Sequence, residues 1–296
     1  MQLQKATRKK VKLRLGMSAV AGGGKTMSAL KLAYGLVGDW SKIGVIDTEN
    51  GSASLYAHLG DFNTIQLDPP YTPERYIEAI KACEDAGMDA IIVDSITHEW
   101  DGKGGCLEIM DKLGGKYQDW AKVTPRHQSF IDAILQSKCH VITTVRRKQD
   151  YEMTKVDGKV KVEKAGLKEV TREGFEYELT VNFNIDERHN ATASKDRTGL
   201  FMDKPAFTVD ENTGKLIRQW CESGVEVPAT TTTTAQTQSL PKVASQATLD
   251  ATVKRLAAGE VDIFDKAINA FLWAPDQRAA LDKALMEGQG KLSLIK

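Results

Sequence analysis

The sequence predicts an α/β fold: a doubly wound, mostly parallel sheet built around a phosphate-binding loop, with an antiparallel β extension and a small helical C-terminal module. Three observations predict it. Apolar strand-like runs alternate with helix-length segments through the first half of the chain, as in successive βαβ units. The first of these units places a glycine-rich loop between strand and helix. After residue 145 the texture changes to alternating residues around turn signals, the mark of paired antiparallel strands.

The elements follow in order. Val11 to Met17 is a short β-rich run that leads into Ser18-Ala19-Val20-Ala21-Gly22-Gly23-Gly24-Lys25-Thr26, after which Leu30, Ala33, Tyr34 and Val37 recur at helical spacing. Further strands are expected at Ile43 to Asp47, Asn63 to Leu67, Ala90 to Asp94 and His140 to Val145, with helices at Glu74 to Ala86 and Pro125 to Gln136. Tyr151 to Lys164 alternates around Asp157-Gly158 like a hairpin, and Glu178 to Asp186 and Ala206 to Val209 also read as strands. Residues 1–224 therefore form one core. Residues 225–247 hold five consecutive threonines, Thr230 to Thr234, among small polar residues and Pro228 and Pro241, which reads as a flexible linker that cannot bury a core. Residues 248–296 have helical periodicity at Leu249 to Ala258, Ile263 to Leu272 and Asp276 to Met286, with breaks at Gly259 and Pro275.

Composition sets the class. The 296 residues are 41% hydrophobic, enough for a substantial core, and the 40 Lys/Arg balance the 40 Asp/Glu. With zero net charge, affinity for nucleic acid has to come from local basic patches. Cys83, Cys106, Cys139 and Cys221 lack CxxC spacing, and His58, His98, His127, His140 and His189 lack ligand or triad spacing. Zinc and disulfide frameworks are therefore not expected, and a reducing cytoplasm fits. The basic N-terminal run (Lys5, Arg8, Lys9, Lys10, Lys12, Arg14) precedes no long apolar segment, so neither a signal peptide nor a membrane span is expected.

Ala19 to Thr26 fits the Walker A pattern with alanine at its first position. Backbone amides of Ala21, Gly22, Gly23 and Gly24 can curl around phosphate oxygens, and Lys25 can bridge the β- and γ-phosphates of ATP. The Thr26 hydroxyl can ligate Mg²⁺, and Met27 continues the site into the positive end of the helix. Asp94 ends an apolar strand some 70 residues on and suits a Walker B carboxylate that holds Mg²⁺ through water. Glu49, beyond the strand Ile43 to Asp47, stands where it can polarise an attacking water; a solvated acid in the loop Glu49-Asn50-Gly51 is the alternative that position alone leaves open.

A strand that ends Asp47-Thr48-Glu49 directly after the Walker A helix resembles the RecA family. The resemblance implies that Glu49 activates water and that Tyr56, seven residues later, stacks on adenine; a core tyrosine is the alternative. Over residues 10 to 220 the chain is similar to phage-encoded RecA-like ATPases associated with single-strand annealing and recombination. The matching segments are Asp94 to Trp100, Trp120 to Pro125, His140 to Lys148 and Ser194 to Gly199. The resemblance implies further that Lys195 and Arg197 reach a neighbouring subunit's nucleotide, which makes the active species a homo-oligomer, ring or filament. It also places a γ-phosphate sensor and the start of a DNA-contacting loop at Arg146, Arg147 and Lys148. Residues 146–172 hold nine Lys/Arg against five Asp/Glu and, with Tyr151, can track a phosphate backbone. Trp100 and Trp120 are expected to pack against the core rather than stack on bases.

The expected function is a DNA-stimulated ATPase that binds single-stranded DNA and promotes annealing or strand pairing, in the cytoplasm, the host's for a phage protein. Two other classes stay open: a small-molecule kinase using the same Lys25 and Asp94, and a nucleotide-gated adaptor. In the adaptor reading the helical tail recruits a single-strand-binding protein or another replication component.

Overall fold

The computed structural model describes residues 5–156, 159–224, 242–243, 245–258, 260, 263–264, 267, 271–272 and 275–293, with the side chains of 151–156, 159–165, 242–243, 271–272, 275–276 and 288–293 outside that description. Two compact units divide the chain, Met1–Val227 and Pro228–Lys296.

In the first unit the strands are β1 (Arg14–Ala19), β2 (Ile43–Asp47), β3 (Asn63–Gln66), β4 (Ala90–Asp94), β5 (His140–Val156), β6 (Lys159–Glu169), β7 (Val181–Ile185) and β8 (Ala191–Asp196). They join in the order β3-β2-β4-β5-β1-β7-β8, with β6 paired to β5. The pairings from β3 through to β7 are parallel, whereas β8 runs antiparallel to β7 and β6 antiparallel to β5. The helices are α1 (Lys25–Val37), α2 (Pro73–Asp85), α3 (Thr97–Asp101), α4 (Cys106–Lys112), α5 (Trp120–Gln136), α6 (Phe175–Glu178) and α7 (Glu211–Glu222).

Period-2 alternation sorts the core into two layers. Ala90 and Ile92 of β4 face the cluster that packs α1, with Leu15 and Met17, while Ile91 and Val93 face the cluster of α2 and α5, with Tyr76 and Phe130. Every residue of β1, β2 and β4 is buried, as parallel strands covered on both faces must be. On the first layer Gly35 of α1 meets Gly214 of α7. A Cβ on Gly35 would run into the Glu211 carbonyl oxygen, and one on Gly214 into that of Leu32, so both helices carry glycine where their backbones touch.

Several expectations shift. The helix foreseen from Pro125 begins at Trp120, with Pro125 inside it, because Val123 and His127 extend the buried stripe of Phe130, Ile131 and Ile134 towards the N-terminus. Tertiary burial outweighs the backbone bond that proline forfeits. The strand foreseen over Glu178 to Asp186 is confined to Val181–Ile185, since Gly174 (φ 91°) opens the short α6 before it. Ala206 to Val209 contributes only the bridge Ala191↔Phe207. Arg14 is no part of a basic surface. It is buried in β1 and donates to the Leu13, Leu135, Ser137 and Cys139 carbonyls. The hairpin turn at Asp157-Gly158 and most of 225–247 lie outside the described residues.

In the second unit α8 (Gln246–Ala257), capped by the Ser245 hydroxyl, packs on α9 (Pro275–Ser293) through Leu249, Leu256, Leu281 and Ala284. Two residues of the expected linker, Lys242–Val243, pair in parallel with Phe271–Leu272, the end of a segment expected as helix; most of that segment lies outside the described residues.

Candidate nucleotide site

The carboxyl ends of β1, β2 and β4 lie level with Arg146 in the middle of β5, with Ala19 opposite Arg146 and Asp47 opposite Asp94. The loops leaving these three strands and Arg146 therefore meet at one crevice, the place where open parallel sheets bind ligands. It holds a pocket of about 540 Å³ lined by Ala21, Gly22, Gly24, Lys25, Thr26 and Met27 from the P-loop and the start of α1, and by Glu49, Tyr56, Asp94 and Arg146 from the neighbouring strands and the segment after β2.

The P-loop turns through Gly22 (φ 77°) and Gly24 (φ 81°), left-handed conformations that L side chains resist. Gly24 is the N-cap of α1 and provides no side-chain cap, so the first amides of the helix are left for an anion. Lys25 is buried, with Nζ 3.0 Å from the Val20 carbonyl and 3.4 Å from that of Ala19. Burial pulls its ammonium below the ordinary lysine range, opposed by Asp94, while Arg146 adds to the lowering.

Asp94 is 1% exposed and takes two hydroxyl donors, Thr26 Oγ1 on Oδ2 at 2.5 Å and Thr144 Oγ1 on Oδ1. Burial pushes this carboxyl up, against those two hydrogen bonds and Lys25. A buried carboxylate beside a P-loop hydroxyl is a hard-oxygen pair that fits Mg²⁺. Thr26 and Asp94 are the residues that would hold the ion.

Glu49 is held by its neighbours on three strands. The Asp47 carboxylate accepts the Glu49 amide at 2.7 Å and the Ala53 amide at 2.8 Å, fixing the loop. Ser95 Oγ donates to Glu49 Oε1 at 3.0 Å. Arg146 closes a bidentate pair, Nε to Oε1 at 2.8 Å and Nη2 to Oε2. Thr48 ties the same loop to the end of β4: its amide donates to the Asp94 carbonyl at 2.8 Å, its hydroxyl oxygen accepts from the Ser95 amide at 2.9 Å, and it lies 2.8 Å from His98 Nδ1. The Arg146 amide in turn donates to Thr97 Oγ1 on α3 at 2.9 Å.

Of the sequence-predicted nucleotide-binding residues, Gly23 alone is off the pocket wall. Tyr56 lines the pocket and also packs on the first core layer. The three residues foreseen as sensor separate. Arg146 alone reaches the pocket; Arg147 donates to the Leu167 carbonyl at 2.9 Å, and Lys148 pairs with Asp101 at 2.7 Å. Lys195 and Arg197 sit together at the end of β8, both donating to the Tyr177 carbonyl, and neither lines the pocket of its own chain.

Sequence reasoning missed Ser95, Thr144, Lys31 and His189, all at or beside the pocket. His189 has φ 65°, and its Nδ1 would lie 2.9 Å from a Cβ on Gly24. The histidines had no ligand spacing, yet the fold joins His127, Glu99 and Cys106. Buried together, the imidazole Nδ1 (3.0 Å) and the Cys106 thiol (3.1 Å) both meet Glu99 Oε1. All four cysteines are buried and free, and Trp100 stacks on Trp120 with centroids 5.6 Å apart. No helix among the described residues is long and apolar enough to cross a membrane.

A family model described as AAA domain matches residues 12–208, a span that takes in the P-loop, Glu49, Asp94, Arg146 and the Lys195/Arg197 pair. No curated protein matches the chain.

Proposed function

Since the chain belongs to the AAA domain family of P-loop ATPases, we propose that it hydrolyses ATP in response to single-stranded DNA and uses the cycle to promote annealing or strand pairing. The observation that carries this reading is the course of β5. One strand bears Arg146 in the nucleotide pocket and, without interruption, the arm of a basic hairpin.

The chemistry assigned to the pocket is hydrolysis. Glu49 takes a proton from water as that water attacks the γ-phosphorus; the bond from the γ-phosphorus to the bridging oxygen breaks, ADP leaves with that oxygen, and Lys25 and the amides of α1 neutralise the charge on the phosphate oxygens. Mg²⁺, when bound, draws charge from the β- and γ-phosphate oxygens. Arg146 has two partners to choose between, Glu49 and a γ-phosphate. Pairing with Glu49 occupies both carboxylate oxygens; leaving it for the phosphate frees the base at the moment substrate is present. A kinase would use the same carboxylate on an acceptor alcohol in place of water, and phosphate release without any acceptor separates the two readings. Lys195 and Arg197, outside their own pocket, act in this reading on the nucleotide of a second copy.

The test is steady-state ATP turnover with and without single-stranded DNA, by wild type, Lys25→Ala, Arg197→Ala and a mixture of the two variants. DNA-stimulated turnover that each variant loses and the mixture partly regains supports the reading. Turnover indifferent to DNA, or no recovery on mixing, argues against DNA coupling or against the trans assignment respectively.

A further inference from the structure

A second cavity of the first unit is larger than the nucleotide pocket. It is a groove of about 1000 Å³ with α3, the Tyr117–Asp119 turn and the start of α5 on one side, and the β5–β6 hairpin with residues 170–173 on the other. Its aromatic floor is the parallel pair Trp100 and Trp120, 16° apart in plane. The Arg172 guanidinium lies 5.9 Å from the centre of the Trp120 ring, at the far limit of cation–π contact. Tyr117 stands 91% exposed at the rim. Lys148 and Lys168 line the hairpin side, each in a surface ion pair, with Asp101 and Glu173.

We propose that this groove seats the unstacked bases of single-stranded DNA, with Trp120 and Tyr117 as stacking surfaces and Arg172 as a phosphate contact. The inference rests on the reading of the protein as a single-strand-binding ATPase and names the surface that does the binding. Chemistry selects the occupant. A single strand offers π-faces and phosphates together, which is what aromatic rings set among cations recognise. A duplex keeps its faces stacked and would meet the lysines alone. The groove lining itself sets Lys148, Lys168 and Arg172 against Asp101, Asp150, Glu169 and Glu173, and the basic excess lies along the hairpin sequence, where residues 146–172 carry nine Lys/Arg against five Asp/Glu. The Lys148–Asp101 and Lys168–Glu173 pairs are exposed and weak, so both lysines can exchange their acids for a phosphate.

The groove also touches the nucleotide site through covalent chain. Lys148 follows Arg146 by two residues, roughly 6.6 Å along β5. Thr97 of α3 bonds the Arg146 amide, and Asp101 of the same short helix bonds Lys148. A strand in the groove that draws Lys148 away from Asp101 therefore loosens the element that positions Arg146.

The test uses the full chain and labelled 20-nucleotide oligothymidylate, oligouridylate and duplex DNA, read by fluorescence anisotropy over a salt series. Tyr117→Ala is expected to weaken oligothymidylate binding at least fivefold. Trp120→Ala should weaken it ten- to hundredfold, with Trp120→Phe restoring most of the affinity. Arg172→Ala should lower the slope of log affinity against log salt by about 0.7, the share of one phosphate contact. A fluorescent ATP analogue should bind all variants as it binds wild type. Wild-type protein that binds no single strand overturns the parent reading. Wild-type binding that Tyr117→Ala and Arg172→Ala both leave intact overturns the groove alone, as does equal affinity for duplex. Tighter oligouridylate binding overturns DNA as the occupant.

Discussion

Replacing Arg146 with alanine leaves Glu49 with the Ser95 hydroxyl, because the guanidinium supplies the other two donors to the carboxylate. The cost to folding is small. The Arg146 side chain is 39% exposed and that of Glu49 17%, so solvent screens the pair and its loss is worth about 1 kcal/mol or less. The effect on chemistry is larger: a pre-placed cation facing charge that develops on a transferring group is worth roughly 10²- to 10³-fold in kcat. Loss of the general base in Glu49→Gln is worth roughly 10²- to 10⁴-fold. Single-turnover ATP hydrolysis by the two single variants and the double variant measures both losses. Groups that act on one transition state are not additive, so the double variant should be close to the worse single variant. Arg146→Ala with wild-type turnover, or losses that multiply in full, would refute the shared role.

Three further outcomes follow from the same geometry. His140 is buried with Nδ1 accepting the Leu13 amide at 3.0 Å; burial, aided by Lys12, Arg14 and Arg218, pushes its imidazole down to about 3. The unfolded chain takes up this proton near pH 6.5 and the folded chain does not, so stability falls as pH drops below 6.5. Urea unfolding at pH 6.5 and 4.5 should show His140 contributing a loss of about 2 kcal/mol, diminished in His140→Gln; equal pH dependence of the two proteins contradicts it. Asp94→Asn should lower turnover roughly 10²-fold or more and raise the magnesium concentration needed for half-maximal rate, and an unchanged magnesium requirement would remove Asp94 from the metal site. Gly35→Ala forces α1 off α7 and should cost about 1–3 kcal/mol despite alanine's better helix propensity; a raised melting temperature would contradict that close approach.

What could be read from the sequence was what neighbouring residues encode. Ala19 to Thr26 and the run ending in Asp94 are local signals, and the parallel sheet with level carboxyl ends follows from their alternation with helices. The pairing of Glu49 with Arg146 spans 97 residues, and no periodicity announces it. Pro125 is ambiguous for a physical reason: proline favours a first helical turn, and only the burial of Val123 shows that a turn precedes it. Trp100, Tyr117, Trp120 and Arg172 each look like scattered loop residues, and the fold alone gathers them at one groove. Trp100 and Trp120 both pack as the sequence suggested, against the buried cluster of Cys106, Met110 and Val123, and Trp120 also lies within 5.9 Å of the Arg172 guanidinium.

In the proposed mechanism the nucleotide pocket and the hairpin surface, both carried by β5, share one equilibrium. Coupling of this kind is reciprocal: if DNA alters the ATP site, ATP must alter DNA affinity by the same factor. The most direct measurement is the affinity of Glu49→Gln, expected to bind ATP without turning it over, for labelled oligothymidylate in the presence and absence of ATP and magnesium. The account predicts affinities that differ by tenfold or more, and equal affinities would contradict it.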